Sequence, residues 1–372
     1  MEKLLTEVCD IQYGYPFDST KFSETEGTPL IRIRDVVRGY SETFTTEEYN
    51  PDYLVHQGDL LIGMDGEFNI AKWGNTPAVL NQRVCRLIPK SSINKGYLYY
   101  CMPFILKKIE AKTPFVTVKH LSAKELNKAK IPLPSLDEQR HIAAVLDKVS
   151  DLITKRRQQL DKLDDLVKAR FVEMFGDPVE NPHGFRKVAL SELAEIKIGP
   201  FGSLLHKEDY IEGGHPLLNP SHIVDGKVAP DSKLTISDKK YDELEAYHLH
   251  TGDVVMGRRG EMGRCAVVSS EGFLCGTGSL LIRTKGEVTA DYIQKIISFP
   301  SFRKTIEDMA VGQTMPNLNV PIVSKFQIIK PPIEVQKKYY KFVAQTDKSK
   351  LTIQRSCDKL EVLKKALMQR YF

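Results

Sequence analysis

The sequence predicts an α+β protein: two homologous mixed α/β units joined by two long antiparallel coiled-coil helices, a tandem repeat with pseudo-twofold symmetry. Three observations predict it. One decapeptide occurs twice, as GDLLIGMDGE at 58–67 and GDVVMGRRGE at 252–261, and its flanks recur in the same order. Short β-like runs fill the first part of each half. A long helical pattern closes each half.

The repeat is collinear along the whole chain. His56 matches His250, and Pro29-Leu30 matches Pro216-Leu217. Thr117 to Leu121 matches Thr314 to Leu318. Ile131, Pro134 and Gln139 match Ile328, Pro331 and Gln336. Phe175 matches Phe372. Matches in order with a small drift in offset mean duplication with loop insertions. The expected segments are a first unit over 1–134, a helix over 135–176, a second unit over 177–331 and a second helix over 332–372.

Strands are expected at Leu30–Ile33, Asp59–Ile62 and Val84–Ile88, with partners at Val254–Met256 and Leu280–Ile282. Each run is short, apolar or alternating, and bounded by turn residues. Helices are expected at Gly96–Ala111 and at Asp291–Met309. Pro132-Leu133-Pro134 and Pro331-Pro332 then punctuate each half, because proline and the residue before it resist helix continuation.

The first long helix carries Leu146, Val149, Ile153, Arg156, Leu160, Leu163, Val167, Arg170 and Met174 at alternating spacings of three and four. That is a heptad seam. Ser135 with Glu138 three residues on marks its start, and Gly176-Asp177-Pro178 its end. The second helix repeats the seam at Val343, Ile353, Cys357, Leu360, Leu367 and Tyr371, with Thr346, Lys350 and Lys364 interrupting. Pairing is assigned to Leu146, Val149, Ile153, Leu160, Leu163 and Val167 on one helix, and to Ile353, Leu360 and Leu367 on the other. Antiparallel pairing suits a pseudo-twofold duplication. A helix of roughly 36 residues is about 54 Å long, the span of some 16 base-pair steps at about 3.4 Å each.

Composition narrows the function. The chain has 372 residues, 41% hydrophobic and 27% charged, which excludes disorder as the main state. No apolar run reaches the ~18 residues of a membrane span, and the start lacks a signal-peptide stretch. A cytoplasmic protein is expected. Lys and Arg number 53 against 48 Asp and Glu, a balance that permits nucleic-acid binding without demanding it. The six cysteines (Cys9, Cys85, Cys101, Cys265, Cys275, Cys357) form no C-x-x-C pair and read as reduced and buried.

Catalytic motifs are missing. The sequence has no G-x-x-x-x-G-K-[ST] loop, no H-E-x-x-H and no G-x-S-x-G elbow. His248 and His250 lack metal-site partners. Asn50-Pro51-Asp52-Tyr53 departs from the N-P-P-Y of amino-methyltransferases at its third residue and reads as a turn. Pro230-Asp231 has no following E-x-K. No catalytic residue and no metal ligand is assigned.

The strings IPLPSLDEQRHIAAVLDKVSDLI at 131–153, ARFVEMFGDP at 169–178 and the C-terminal LEVLKKALMQRYF, with the duplicated decapeptide, carry a family likeness. The chain resembles the DNA-specificity subunit of type I restriction-modification systems over essentially its whole length. The second copy departs at Lys330 to Lys337, where Gln336 is kept without the glutamate before it. The resemblance implies a non-catalytic subunit in which each unit is a target recognition domain reading half of a split, asymmetric site in double-stranded DNA. The helices would set the spacer and dock two methyltransferase (M) subunits, joined by restriction (R) subunits. It implies no cofactor in this chain: S-adenosylmethionine belongs to the methyltransferase, ATP and Mg to the nuclease.

Such reading needs arginine for guanine and Asn or Gln for adenine in the major groove, with basic and hydroxyl groups on phosphates. The first unit offers Arg32, Arg34, Arg38, Lys72, Asn81, Gln82, Arg83 and Lys119. The second offers Asn219, Ser221, His222, Arg258, Arg259, Arg264, Gln313 and Asn317. Gly257-Arg258-Arg259-Gly260 is the sharpest: two arginines between glycines that allow close backbone approach. The first unit carries Met64-Asp65 at that place. Trp73 reads as core, Tyr97, Tyr99 and Tyr100 as helix packing, and Lys155-Arg156-Arg157 as a solvated face. The rival readings are a coiled-coil adaptor with protein-binding heads and a self-sufficient DNA methyltransferase or nuclease.

Overall fold

The structure, a computed structural model, describes residues 2–74, 76–113, 119–261, 263–310 and 317–372. The chain divides into two compact units, Met1–Gln159 with Ile353–Phe372, and Leu160–Thr352. Both dividing points fall inside the long helices, so each unit contains a segment of each helix.

The first unit is built on a four-stranded antiparallel sheet in the order Cys9–Tyr13, Val84–Pro89, Leu60–Gly63, Asn69–Lys72. The strand Leu60–Gly63 comes from the repeated decapeptide and is buried at every position. Successive side chains point to opposite faces of a strand. Leu60 and Ile62 therefore enter a core with Leu5, Tyr97, Leu98 and Leu106. Leu61 enters a second core with Ile31, Val36, Trp73 and Leu80. A five-stranded sheet, in the order Phe22–Ser23, Phe44–Thr45, Thr28–Ile31, Ala78–Leu80, Leu54–Val55, stands beside it. A two-stranded pair, Glu2–Leu4 with Lys130–Pro132, completes the unit.

The second unit repeats these sheets and adds a two-stranded pair, Ile223–Val224 with Lys227–Val228, where the first unit has a short helix. Its four-stranded sheet runs Ala194–Ile198, Ser279–Thr284, Val254–Gly257, Cys265–Val267. Its five-stranded sheet runs Tyr210–Ile211, Thr235–Ile236, His215–Leu218, Phe273–Cys275, His248–Leu249. In both five-stranded sheets the parallel pairing falls at the same place, Thr28–Ile31 with Ala78–Leu80 and His215–Leu218 with Phe273–Cys275. Glycine recurs where backbones meet. A Cβ on Gly14 would lie 1.9 Å from the Asn81 carbonyl oxygen, and one on Gly199 would lie 2.0 Å from that of Gly276.

Two expected elements differ. The run Leu30–Ile33 is a strand only to Ile31. Asp35 Oδ2 accepts the Arg32 N–H at 2.9 Å and starts a short helix, Ile33–Arg38. The stretch Asp291–Met309 is two helices, Ala290–Ile297 and Pro300–Met309. Phe299, preceding Pro300, is extended at φ −70°, ψ 138°, as residues before proline prefer. In the first unit the single helix Lys95–Lys112 runs through Pro103.

The long helices span Leu136–Phe175 and Ile333–Tyr371. Ser135 Oγ accepts the Glu138 N–H at 3.3 Å at the start of the first. Gly176, at φ 72°, ends it. In the first unit Leu146 is fully buried, and Val149 and Ile153 pack with Cys357, Leu360 and Leu367. Arg157 pairs with Glu361 at 2.7 Å, while Asp147, further back, acts on Lys364, further on. In the second unit Asp164 pairs with Lys350, and the Val167 carbonyl accepts the Tyr339 hydroxyl at 3.3 Å. Within each unit the segments thus run antiparallel. Leu160 and Leu163 in the second unit and Ile353 in the first are half-buried.

Candidate nucleic-acid interface

In each unit the central buried strand runs out into a short loop, Met64–Glu67 in the first and Arg258–Glu261 in the second. The same hydrogen bonds pin both loops. Leu121 N–H donates to the Met64 carbonyl at 2.7 Å, and Leu318 N–H donates to that of Arg258 at 2.9 Å. An isolated antiparallel bridge joins Asp65 to His120, and its counterpart joins Arg259 to Asn317. Gly66 and Gly260 turn each loop at φ 76° and 80°, a conformation that side-chain-bearing residues resist. Ile33 packs on the Gly63 position and Pro220 on Gly257, so the turn after Ile31 or Leu218 roofs each loop. Backbone and scaffold are repeated, and the side chains are not.

In the first unit the loop is internally neutralised. His120 Nδ1 lies 2.6 Å from Asp65 Oδ1, and Arg83 Nη1 lies 3.1 Å from His120 Nε2. Arg83 Nη1 also lies 3.0 Å from His120 Nδ1, so the imidazole sits between the cation and the carboxylate. The Arg83 backbone is left-handed at φ 71°, which throws its side chain toward the loop. Lys119 reaches Glu110 at 3.1 Å.

In the second unit the loop is cationic. Arg258 Nε donates to Asn317 Oδ1 at 3.1 Å. Burial first, and then the Arg259 charge, draw the Arg258 guanidinium below its ordinary value. Arg259 is exposed. Behind the loop Glu261 accepts from Arg264 at 2.5 Å and from Arg303 at 2.9 Å. Those two arginines, Arg264 before Arg303, hold its carboxyl below the usual range.

The structure gathers Arg83, Lys119, Arg32 and Arg34 around the first loop and its roof, and Asn219, Ser221, Arg258, Arg259, Arg264 and Asn317 around the second. Arg32 and Arg34 are exposed on the turn and line a cleft with Glu24, Glu42 and Thr43. Arg38 pairs with Glu42 at 3.7 Å. Asn81 is buried, its Oδ1 accepting the Gln82 N–H, while Gln82 is exposed. Asn219 Oδ1 accepts the Gly278 N–H at 3.3 Å. His222 is buried, its Nδ1 2.7 Å from the Leu217 carbonyl oxygen, and braces the turn from inside. Lys72 stands apart: it pairs with Asp147 at 3.5 Å and lies over the Tyr99 ring. Gln313 lies outside the described residues.

Trp73 is core, its Nε1 donating to the Thr76 carbonyl at 2.7 Å. Tyr97 and Tyr100 pack as expected, their hydroxyls on Pro132 and Asp147. All six cysteines are free and buried. His120, Glu261 and Arg303 also stand at these loops and are not marked out by the sequence. The match of TVKHL with TMPNL already set His120 against Asn317, but nothing in the sequence tied either to the loop it pins.

Comparison with known proteins agrees with this architecture. The family described as the type I restriction modification DNA specificity domain matches twice, over residues 1–163 and 182–364. The type I restriction enzyme EcoBI specificity subunit of Escherichia coli is 28% identical over 292 residues, covering 72% of this chain and 62% of that subunit's length. The MjaVIII specificity subunit of Methanocaldococcus jannaschii is 20% identical, covering 91% of this chain and 87% of the relative. The S subunit of the M. genitalium type I system shares the fold, with TM-score 0.58 and 15% identity, covering 100% of this chain and 96% of the other. A chain from a structure of type I system assembly gives TM-score 0.64 at 17% identity and the same coverage. With two matched copies spanning nearly all of it, the chain belongs to the type I restriction-modification DNA specificity family.

Proposed function

We propose that this chain is the non-catalytic, sequence-reading subunit of a type I restriction-modification complex. Residues 1–134 and 177–331 act as target recognition domains, each reading one half of a split, asymmetric site in double-stranded DNA. Residues 135–176 and 332–372 form the helices that set the spacer. The observation that carries this reading is the repeated loop. One backbone frame, pinned by the same bonds, presents Met64, Asp65 and His120 in one unit and Arg258, Arg259 and Asn317 in the other. Two matched frames with different side chains suit a reader of two different half-sites.

The candidate contacts gathered around those loops supply base reading and phosphate anchoring. The helices keep apolar side chains on their outer faces, Leu152, Val362 and Leu363 in the first unit and Leu166, Val172 and Leu351 in the second. In this reading they dock two M subunits, which bind S-adenosylmethionine. R subunits supply the ATP- and Mg-dependent nuclease. Among the described residues no helix is long and apolar enough to cross a membrane. The DNA read in this proposal is cytoplasmic.

The test is a map of N6-methyladenine in host DNA with and without the gene. Loss of one split motif with a fixed spacer on deletion is the expected result. An unchanged map in a strain that makes the methyltransferase subunit overturns the reading.

A further inference from the structure

We infer that the shared loop carries a base-reading residue in the second unit: Arg258, held by Asn317, reads a guanine in that unit's half-site. This rests on the function proposed above and adds a residue and a base to it.

Arg258 is fixed on both sides of its Cα: its N–H donates to the Gly278 carbonyl at 3.0 Å, and its own carbonyl accepts from Leu318. Its side chain is then aimed by one bond, from Nε to Asn317 Oδ1 at 3.1 Å. Among the described residues neither Nη has a partner. The guanidinium is half-buried and keeps its outer N–H groups available as a fork. A pre-aimed fork loses little side-chain freedom when it binds. In the major groove guanine presents two adjacent acceptors, O6 and N7, which match that fork. Adenine places an amino donor where guanine has O6, so the fork rejects it.

The neighbour has a different task. Arg259 is exposed, and its side chain has no partner among the described residues. An exposed charge of that kind suits a phosphate. In the first unit the place of Arg258 in the frame carries no fork. The cation of that loop, Arg83, is committed to His120 and Asp65, and the residue in the place of Arg258 is Met64. A guanine contact of this type is therefore peculiar to the second unit. Asn317 is a positioning residue, because it acts through Arg258.

The test uses the assembled methyltransferase complex and three variants. Arg258→Lys keeps the charge and removes the fork. Asn317→Ala removes the acceptor that aims it. Asn317→Asp restores an acceptor at the same reach. The readout is the methylated motif, followed by affinity for oligonucleotides carrying each base at every specified position. We expect Arg258→Lys and Asn317→Ala to lose the guanine requirement at one position of one half-site, with discrimination falling roughly 10-fold or more. The other half-site stays unchanged, and Asn317→Asp regains the preference.

A phosphate contact or a solvated loop predicts otherwise. If Arg258→Lys leaves the motif intact, or lowers affinity equally for all bases at all positions, the assignment is overturned while the function proposed above stands. If the unaltered complex methylates no split motif, it is the function that fails.

Discussion

Gln139 is fully buried and uses its amide at both ends: it accepts the Asn94 N–H at 2.8 Å and donates to the Pro134 carbonyl at 2.9 Å. Gln336 does the same with Thr289 and Pro331, at 3.0 and 2.9 Å. Each amide ties the start of a long helix to the N-terminus of the helix packed on it. Gln336→Ala would strand a buried donor and a buried acceptor, each costing about 1–3 kcal/mol. We expect a clear fall in the midpoint of urea unfolding, and no change would mean the bonds are not made in solution. The sequence showed this glutamine only as a match between copies. Its use was not legible, because its partner lies 45 residues away in one unit and 47 in the other. Glu271 gives a residue-scale pH effect. The Thr251 N–H, then the His250 imidazole, pull its carboxyl down to about 2. A depressed carboxyl stabilises the fold above the ordinary carboxylate value, about 4.3, and loses that contribution as pH falls toward 2. Glu271→Gln should therefore flatten the fall in thermal midpoint between pH 6 and pH 2. An identical fall in both proteins would remove Glu271 from the account.

At the scale of elements, periodicity was the legible part and exceptions to it were not. Along the first long helix Leu146, Val149 and Ile153 are buried, and Arg156, Leu160, Leu163, Val167, Arg170 and Met174 are half-buried. The second seam looked interrupted at Thr346, Lys350 and Lys364, yet these also face inward. Thr346 satisfies its hydroxyl on the Phe342 carbonyl at 3.0 Å. Lys350 is answered by Asp164, and Lys364 lies 5.7 Å from the Tyr100 ring centre. Long side chains with local partners fit a seam that a count of apolar residues rejects. The split at Ser298–Phe299 was missed for a different reason. Its apolar pattern continues through Pro300, and only the proline marks the boundary. Burial now separates two kinds of apolar helix residue. Leu146→Ala removes a fully buried side chain and should cost about 2–5 kcal/mol. Val362→Ala, at a position 69% exposed, should change stability by no more than about 0.5 kcal/mol but weaken capture of the methyltransferase subunit. Equal effects of the two on chemical unfolding would contradict the seam.

For the molecule as a whole, the duplication was the most legible feature, because a repeat preserves strand order while loops diverge. The four- and five-stranded sheets follow one plan in both units, and the loops that hold Met64 and Arg258 are pinned by equivalent bonds. Electrostatics break the symmetry. The first loop balances Asp65 against Arg83, whereas the second presents Arg258 and Arg259 together. A mild net charge of +5 concealed this difference, since a sum carries no position. The asymmetry predicts different salt responses for two neighbouring arginines. A cation on a phosphate releases counterions, and each such contact contributes about 0.9 to the slope of log affinity against log salt. A fork on a base contributes selectivity with little of that slope. Arg259→Ala, titrated on the specific site in the assembled complex from low to physiological salt, should therefore flatten the slope by about 0.9 and weaken all sequences alike. An unchanged slope would take Arg259 off the phosphate backbone. A change of motif on the same substitution would mean that base reading belongs to Arg259 rather than to Arg258.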